Sequence, residues 1–362
     1  MNFCTLYPEG NKGDLFRDPG QIPYNLAKNF PDIVSSFVAC DIPMENALPR
    51  VNRFSTTKIT RWLNNNLLTG LIYLACHARD IDWLNLYHCR RQTLLLSRAY
   101  KLLNKRGKVY VKLDAGFQTL HKLENDKEYL NVFRKIISVV DVVSAESSAA
   151  VDGINELVER KIKKIPNGAF LENDNNEIAR KNIFLTVARI GSPEKKDDLL
   201  MEAFARIADQ CDWNLKLVGP IDRRFNEYTD SYFKRYPFLK DRVIFTGNID
   251  SRKDLSSLYR ESKIFVLPSE YESFSLACIE AMQNGCYVIL SDQVTPYKEF
   301  TNDLKYGVIF EMGNVDDLSR KMIATSKINL NKEFAGEISD YATENFTWDK
   351  ICTDLYSILR DY

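Results

Sequence analysis

The chain has 362 residues, 45% hydrophobic and 27% charged, which suffices for a sizeable core and suggests two domains rather than one. Forty-nine basic and forty-nine acidic residues leave no net charge, which excludes wholesale attraction to nucleic acid as the organising function. No window reaches the roughly 18 uncharged apolar residues of a membrane span, and eight scattered cysteines without a Cys-x-x-Cys pair argue against a disulfide framework or structural zinc. A cytoplasmic protein, with any membrane contact peripheral, is the expectation. The N-terminus from Met1 to Leu6 has no basic run ahead of an apolar stretch.

Taken in chain order, short apolar runs alternate with amphipathic stretches, the pattern of an α/β protein with largely parallel sheets. In the first half the spacing predicts strands at Asn2–Leu6, Ile33–Ala39, Trp83–His88, Val109–Leu113 and Val139–Ser144. After the first of them, Gly10 to Tyr24 is a loop with three glycines opening towards a helix. Twelve basic residues (Arg53, Lys58, Arg61, Arg79, Arg90, Arg91, Arg98, Lys101, Lys105, Arg106, Lys108 and Lys112) stand between Val51 and Lys112 against Asp80 and Asp82 alone. With Phe54, Trp62, Leu67, Leu68 and Leu94–Leu96 among them, this locally cationic segment suits an anionic membrane surface. No nucleic-acid motif accompanies the charge.

From Pro166 to Asn176 breaker residues merge into a polar run, which reads as an interdomain hinge. Beyond it strands are expected at Ile183–Val187, Asn214–Val218, Val243–Thr246, Ile264–Pro268 and Tyr287–Ser291, with helices between them. One is Asp198–Asp209, whose Leu199, Leu200, Ala203, Phe204 and Ile207 share a face. The chain closes on an amphipathic helix opened by Thr347 and carrying Trp348, Ile351, Cys352, Leu355, Ile358 and Leu359.

The segment Phe265 to Leu290 is a βαβ unit. An apolar strand ends at Pro268, small residues follow, a helix runs from about Ser275 to Gln283, and Asn284-Gly285 stops it. In open α/β sheets ligands sit beyond the carboxyl ends of the strands, against helix N-termini whose free amides suit phosphate. The amides of Ser273, Phe274, Ser275 and Leu276 are therefore candidate diphosphate donors. Glu280 stands roughly 7–8 Å further along the helix axis at 1.5 Å per residue, a ribose's distance from a diphosphate. Glu272, in the loop ahead of the helix, can reach hydroxyls of an attached sugar.

Glu272 and Glu280, with seven residues between them and flanked by Pro268-Ser269, Phe274 and Glu280-Ala281-Met282, resemble the Glu-x7-Glu signature of retaining GT-B glycosyltransferases, glycosyltransferase family 4. Ser273 and Ser275 occupy positions where that family more often has glycine. A second match is Arg189 with Lys195, where Lys196 replaces the usual glycine. Arg and Lys converging on a diphosphate would neutralise the leaving group without a metal. Leu217-Val218-Gly219-Pro220, Val243 to Gly247-Asn248, Ile165 to Gly168 and Asn345 to Trp348 follow in the family's order and add Gly219, Gly247 and Asn248 to the candidate donor residues.

The resemblance implies a GT-B fold of two Rossmann-like domains with an interdomain cleft. Residues 1–170 would bind the acceptor, 171–345 the nucleotide sugar, and 346–362 would form a helix packing back on the first domain. It places the glycine loop, represented by Gly20, on the acceptor side, and Asp114 where many members carry a catalytic His. The implied activity is retaining transfer of a sugar from a nucleoside-diphosphate sugar, UDP-sugar favoured, to a polysaccharide or lipid-linked glycan acceptor. Glu272, Arg189, Lys195 and Asp114 are the catalytic candidates, with no cofactor and no metal. An inactive nucleotide-sugar-binding or partner-binding protein, or a GT-B nucleotide-sugar epimerase, would use the same residues.

Overall fold

The computed structural model describes residues 1–43, 47–170 and 178–362. The part of the expected hinge from Leu171 to Asn176 lies outside the described residues. Two compact units divide the chain, Met1–Gly168 with Trp348–Tyr362, and Ala169–Thr347. Among the described residues, each unit holds one sheet whose paired strands are all parallel, seven strands in the first and six in the second.

The first unit runs β1 (Asn2–Leu6), α1 (Asp18–Asn29), β2 (Val34–Ala39), β3 (Phe54–Lys58), α2 (Asn66–His77), β4 (Trp83–Tyr87), α3 (Arg91–Leu103), β5 (Lys108–Lys112), α4 (Phe117–Asn125), α5 (Lys127–Val139), β6 (Val142–Ala145), α6 (Ser148–Leu157) and β7 (Lys163–Lys164). Its strand order is β3-β2-β1-β4-β5-β6-β7. The central strands β1 and β4 are almost wholly buried, as expected of parallel strands covered on both faces.

The second unit runs β8 (Lys181–Val187), α7 (Asp197–Ile207), β9 (Asn214–Val218), α8 (Asn226–Arg235), β10 (Val243–Gly247), α9 (Arg252–Glu261), β11 (Ser262–Leu267), α10 (Leu276–Gln283), β12 (Tyr287–Ser291), α11 (Tyr297–Thr301), β13 (Gly307–Phe310), α12 (Val315–Ser326) and α13 (Lys332–Phe346). Its order, β10-β9-β8-β11-β12-β13, sets β8 beside β11. The ends of two strands remote in sequence therefore share one edge. In α7, Asp197 and Asp198 lie in the first turn, where the helix dipole favours them.

Helix α14 (Trp348–Arg360) belongs to the first unit. It buries Trp348, Ile351, Cys352, Leu355 and Leu359, each contributing about 1.5–3 kcal/mol if taken fully from water. Phe30 stacks on Tyr356 at 3.9 Å between ring centroids. Tyr356 donates from its hydroxyl to Asp32 at 2.9 Å, and Lys28 pairs with Asp349 at 3.1 Å.

Several expectations need correction. Val139 ends α5 instead of opening a strand, because Phe133, Ile136 and Ile137 carry the helical face up to it. Strands β3, β7 and β13 were not anticipated. Gly20 does not sit in the loop ahead of the helix: it is buried in the first turn of α1, where a Cβ would stand 2.4 Å from the Leu15 carbonyl oxygen. That glycine allows the turn Lys12–Phe16 to press against the helix start.

Candidate active site

In the second unit the strand ends bring together Arg189 and Lys195, which follow β8, and Glu272, which follows β11. Lys195 Nζ donates to Glu272 Oε2 at 2.7 Å, with the two side chains 20% and 15% exposed. Two further bonds join their loops: the Glu270 amide donates to the Glu194 carbonyl at 2.8 Å, and Lys196 pairs with Glu270 at 3.1 Å. Arg189 is largely exposed and pairs with Glu194 at 2.6 Å. Lys196 takes a left-handed φ of +52°, a backbone that glycine adopts at least cost.

The loop between Arg189 and Lys195 is anchored from below. Asp197 is buried and accepts the Gly191 amide at 2.7 Å. Burial pushes its carboxyl up to about 6, against that hydrogen bond. On the other side the Thr295 amide donates to the Glu272 carbonyl at 2.9 Å. Both loops are thus fixed by backbone bonds before any ligand arrives.

Ser275 caps α10, its hydroxyl accepting the Cys278 amide at 3.3 Å, and its carbonyl takes the Ile279 amide. The remaining first-turn amides, of Leu276 and Ala277, have no partner within the helix and head the positive end of its dipole. Ser273 lies half-buried just ahead, and Phe274 is buried against Phe300 and Phe346, so Phe274 supports the loop through its ring. One turn along, Glu280 Oε2 accepts the Tyr259 hydroxyl at 3.2 Å. Burial raises the Glu280 carboxyl, opposed by the Tyr259 bond and the Arg252 charge. Glu280 and Tyr259 line a small cavity with Phe170, Arg252, Ser256 and Asn284, and the Arg252 guanidinium lies 4.3 Å over the Phe170 ring.

Gly219 continues the same edge at the end of β9. Its φ is +133° and a Cβ would meet the Ala188 carbonyl oxygen at 1.9 Å, so only glycine lets β9 end this close to β8. Its amide donates to Gly247 at 2.9 Å. Gly247, with φ +73°, has open space around it, and Asn248 is exposed and donates to Asp250.

In the first unit Asp114, exposed just past β5, lines a cavity of about 600 Å³ with His88, Arg90, Arg91, Lys122 and Tyr129. His88 has a left-handed φ of +59° and packs against Tyr7 and Tyr87. Burial and Arg90 lower its pKa. Sequence reasoning did not single out Tyr259, Arg252 or Phe170, and it set His88 aside for want of a motif around it. The position of His88 at the carboxyl end of β4 was the signal that could have found it. Among the described residues no cluster of three or more His, Cys, Asp or Glu is arranged to hold a metal ion, and no helix is long and apolar enough to cross a membrane.

Two parallel α/β units, the second with this charged edge, can be compared with known proteins. Residues 169–344 match the family glycosyl transferases group 1. The chain is 23% identical over 358 residues to N-acetyl-alpha-D-glucosaminyl L-malate synthase of Bacillus anthracis, covering 94% of this chain and 88% of that one. Sucrose-phosphate synthase of Thermosynechococcus elongatus superposes with a TM-score of 0.75 at 18% identity, covering 100% of this chain and 98% of that chain. The Anabaena HepE protein in complex with UDP and glucose superposes with a TM-score of 0.74 at 17% identity over the whole of both chains. The similarities support sugar transfer on a GT-B fold, with the family match carried by the second unit.

Proposed function

We propose that the protein is a retaining, metal-independent transferase that moves a sugar from a nucleoside-diphosphate sugar to a polysaccharide or lipid-linked glycan acceptor. The observation that carries this reading is the Lys195–Glu272 pair at 2.7 Å beside the open N-terminus of α10. Lys195, with Arg189 exchanging Glu194 for the ligand, neutralises the diphosphate as the glycosidic bond breaks. The amides of Leu276 and Ala277 hold the phosphates, Glu272 the sugar hydroxyls and Glu280 the ribose. Acceptor binding falls to the first unit, at the cavity shared by Asp114 and His88. UDP-sugar is the favoured donor, in keeping with the UDP and glucose bound to the Anabaena protein. The setting is cytoplasmic, with peripheral contact to an anionic membrane through residues 51–112.

A thermal-shift series with UDP-, GDP- and ADP-sugars tests the donor, because a ligand bound only by the native state raises its apparent stability. The expected result is a shift with UDP-sugar, transfer that persists in EDTA, and a product with the donor's anomeric configuration. Affinity without turnover would instead indicate a binding protein, and an isomerised sugar formed without acceptor an epimerase. Loss of activity in EDTA, restored by manganese, would remove the metal-free mechanism.

A further inference from the structure

Asp197 and Asp198 read in sequence as two like acids opening α7, and the structure separates them. Asp198 is exposed at the helix N-terminus, where the dipole favours it. Asp197 is 1% exposed. Its Oδ2 accepts the Gly191 amide at 2.7 Å, and its Oδ1 has no hydrogen-bond partner among the described residues. A buried carboxylate with one oxygen unpaired opposes folding unless its charge is used.

The group that Asp197 holds lies in the middle of the turn that carries the two cations of the site. Gly191 stands between Arg189 and Lys195 in the chain with a left-handed φ of +82°, and a Cβ there would come 2.3 Å from the Cβ of Phe225. Ahead of it, the Ile190 amide donates to the Pro220 carbonyl at 2.9 Å, and the Ile190 carbonyl accepts the Asp222 amide at 2.8 Å. Behind it, the Ser192 amide donates to the Arg189 carbonyl at 3.1 Å and the Lys195 amide to the Ser192 carbonyl at 2.9 Å. Among the described residues, Asp197 is the one acceptor of the Gly191 amide. The turn is thus tied to the sheet on one side and to Asp197 at its centre.

Burial raises the Asp197 carboxyl from 3.8 to about 6, opposed by the Gly191 bond; Asp198 and Glu194 add to the rise and Lys195 counters it. Asp222, in the segment after β9, is taken up by Arg224 at 2.5 Å. A carboxyl raised on folding adds to stability when protonated, fully below about 3.8, and that contribution is lost as pH rises through about 6. At neutral pH the ionised Asp197 therefore weakens the fold. Its charge makes the bond to Gly191 about twice as strong as a neutral one, so what the charge serves is the turn.

We infer that Asp197 is a positioning residue: its carboxylate holds the turn at Gly191, and with it Arg189 and Lys195, in the shape that receives the donor diphosphate. The inference rests on the proposed donor site and adds to it a group that acts from beneath, without touching the ligand. A neutral side chain of the same shape keeps the packing and weakens the anchor, whether it is a protonated Asp197 or an asparagine. Donor affinity then follows the charge on Asp197.

The test compares wild-type protein with Asp197→Asn, and with Asp198→Asn as control, at about pH 7.5 and about pH 5. Calorimetry reads UDP-glucose binding, and hydrogen exchange reads the Gly191 amide in the free protein. At the higher pH, Asp197→Asn should bind UDP-glucose about ten-fold more weakly, with the Gly191 amide about ten-fold less protected. Its donor KM should rise more than its kcat falls, and its melting temperature should be no lower than that of wild type. At the lower pH wild type loses the advantage, and the two proteins should agree within about two-fold. Asp198→Asn should follow wild type at both. Equal Gly191 protection in wild type and Asp197→Asn at both pH values overturns the proposal without reference to any donor. Tighter UDP-glucose binding by Asp197→Asn also overturns it, because the donor would then feel the acid's charge and not the turn. If wild type fails to bind UDP-glucose while Gly191 protection changes as expected, the donor reading fails and the anchor is upheld.

Discussion

Each unit places a lysine and a glutamate together beyond the carboxyl ends of its strands, and the two pairs have opposite character. Lys112, ending β5, and Glu146, following β6, are 0% and 1% exposed and 3.7 Å apart. Their remaining bonds point into the fold: Lys112 Nζ donates to the Ile165 carbonyl at 2.7 Å, and Glu146 Oε2 accepts the Ala115 amide at 3.2 Å. Lys195 and Glu272 are closer, at 2.7 Å, yet both stay partly open beside a helix N-terminus. A buried pair whose other partners are backbone groups holds a structure together. A pair at an open rim can trade its partner for a ligand.

The sharpest way to break this comparison is Lys112→Ala. It empties a buried site and leaves the Ile165 carbonyl without its donor, and loss of about 2–5 kcal/mol, read from urea melts, is expected. The paired change Lys112→Met with Glu146→Leu should recover most of it, because the buried charge is then gone. A small effect of Lys112→Ala would show that the pair is not a structural element.

Lys195→Ala should do the reverse. Turnover is expected to fall about 100-fold or more, since a charge acting on the departing diphosphate is removed, while stability shifts by under about 1 kcal/mol for a partly exposed pair. Unchanged turnover would take Lys195 out of the site.

The two site glutamates should separate by kinetics. Glu280→Ala is expected to raise the donor KM about ten-fold with little change in kcat, because ribose contacts are alike in the ground and transition states. Glu272→Ala should chiefly lower kcat, as its contacts matter most when the sugar becomes oxocarbenium-like. The opposite split would exchange their roles.

A further expected effect is on pH dependence. Burial pushes the Glu146 carboxyl up to about 8 from 4.5, opposed by Lys112. The folded protein then holds a proton that the unfolded chain releases above about 4.5, so this group's contribution is full at low pH and is lost as pH rises through about 8. Wild-type stability should fall relative to that of Glu146→Gln between about pH 5 and 8. Asp18 and Asp197, each raised to about 6, act in the same sense in both proteins and cancel in the comparison. Parallel curves would mean that Glu146 titrates normally.

Much of the second unit was legible from residue order. The strand, small-residue loop and capped helix around Glu272 and Glu280 are local features, carried by an apolar run, the Ser275 cap and the Asn284-Gly285 stop, and each acts over only a few residues. Strand β3 was not legible, because Phe54-Ser55-Thr56-Thr57-Lys58 has one apolar side chain and lies exposed at the sheet edge. Strand β13 is only four residues long, too short to show a period.

Composition, periodicity and capping thus determined the α/β class and most of the run of elements, while the family resemblance singled out the charged candidates. Tertiary structure alone decided what those charges meet. Lys195 and Glu272 are 77 residues apart, and only the order that sets β8 beside β11 joins them. Lys112 reads in sequence as one more cation of a basic segment, and only the packing of β5 against β6 buries it. Gly20 reads as part of a loop leading towards a helix, and the turn folded against α1 makes it a packing glycine. Local patterns are set by neighbours three or four positions away, whereas burial and pairing depend on which distant strand lies alongside.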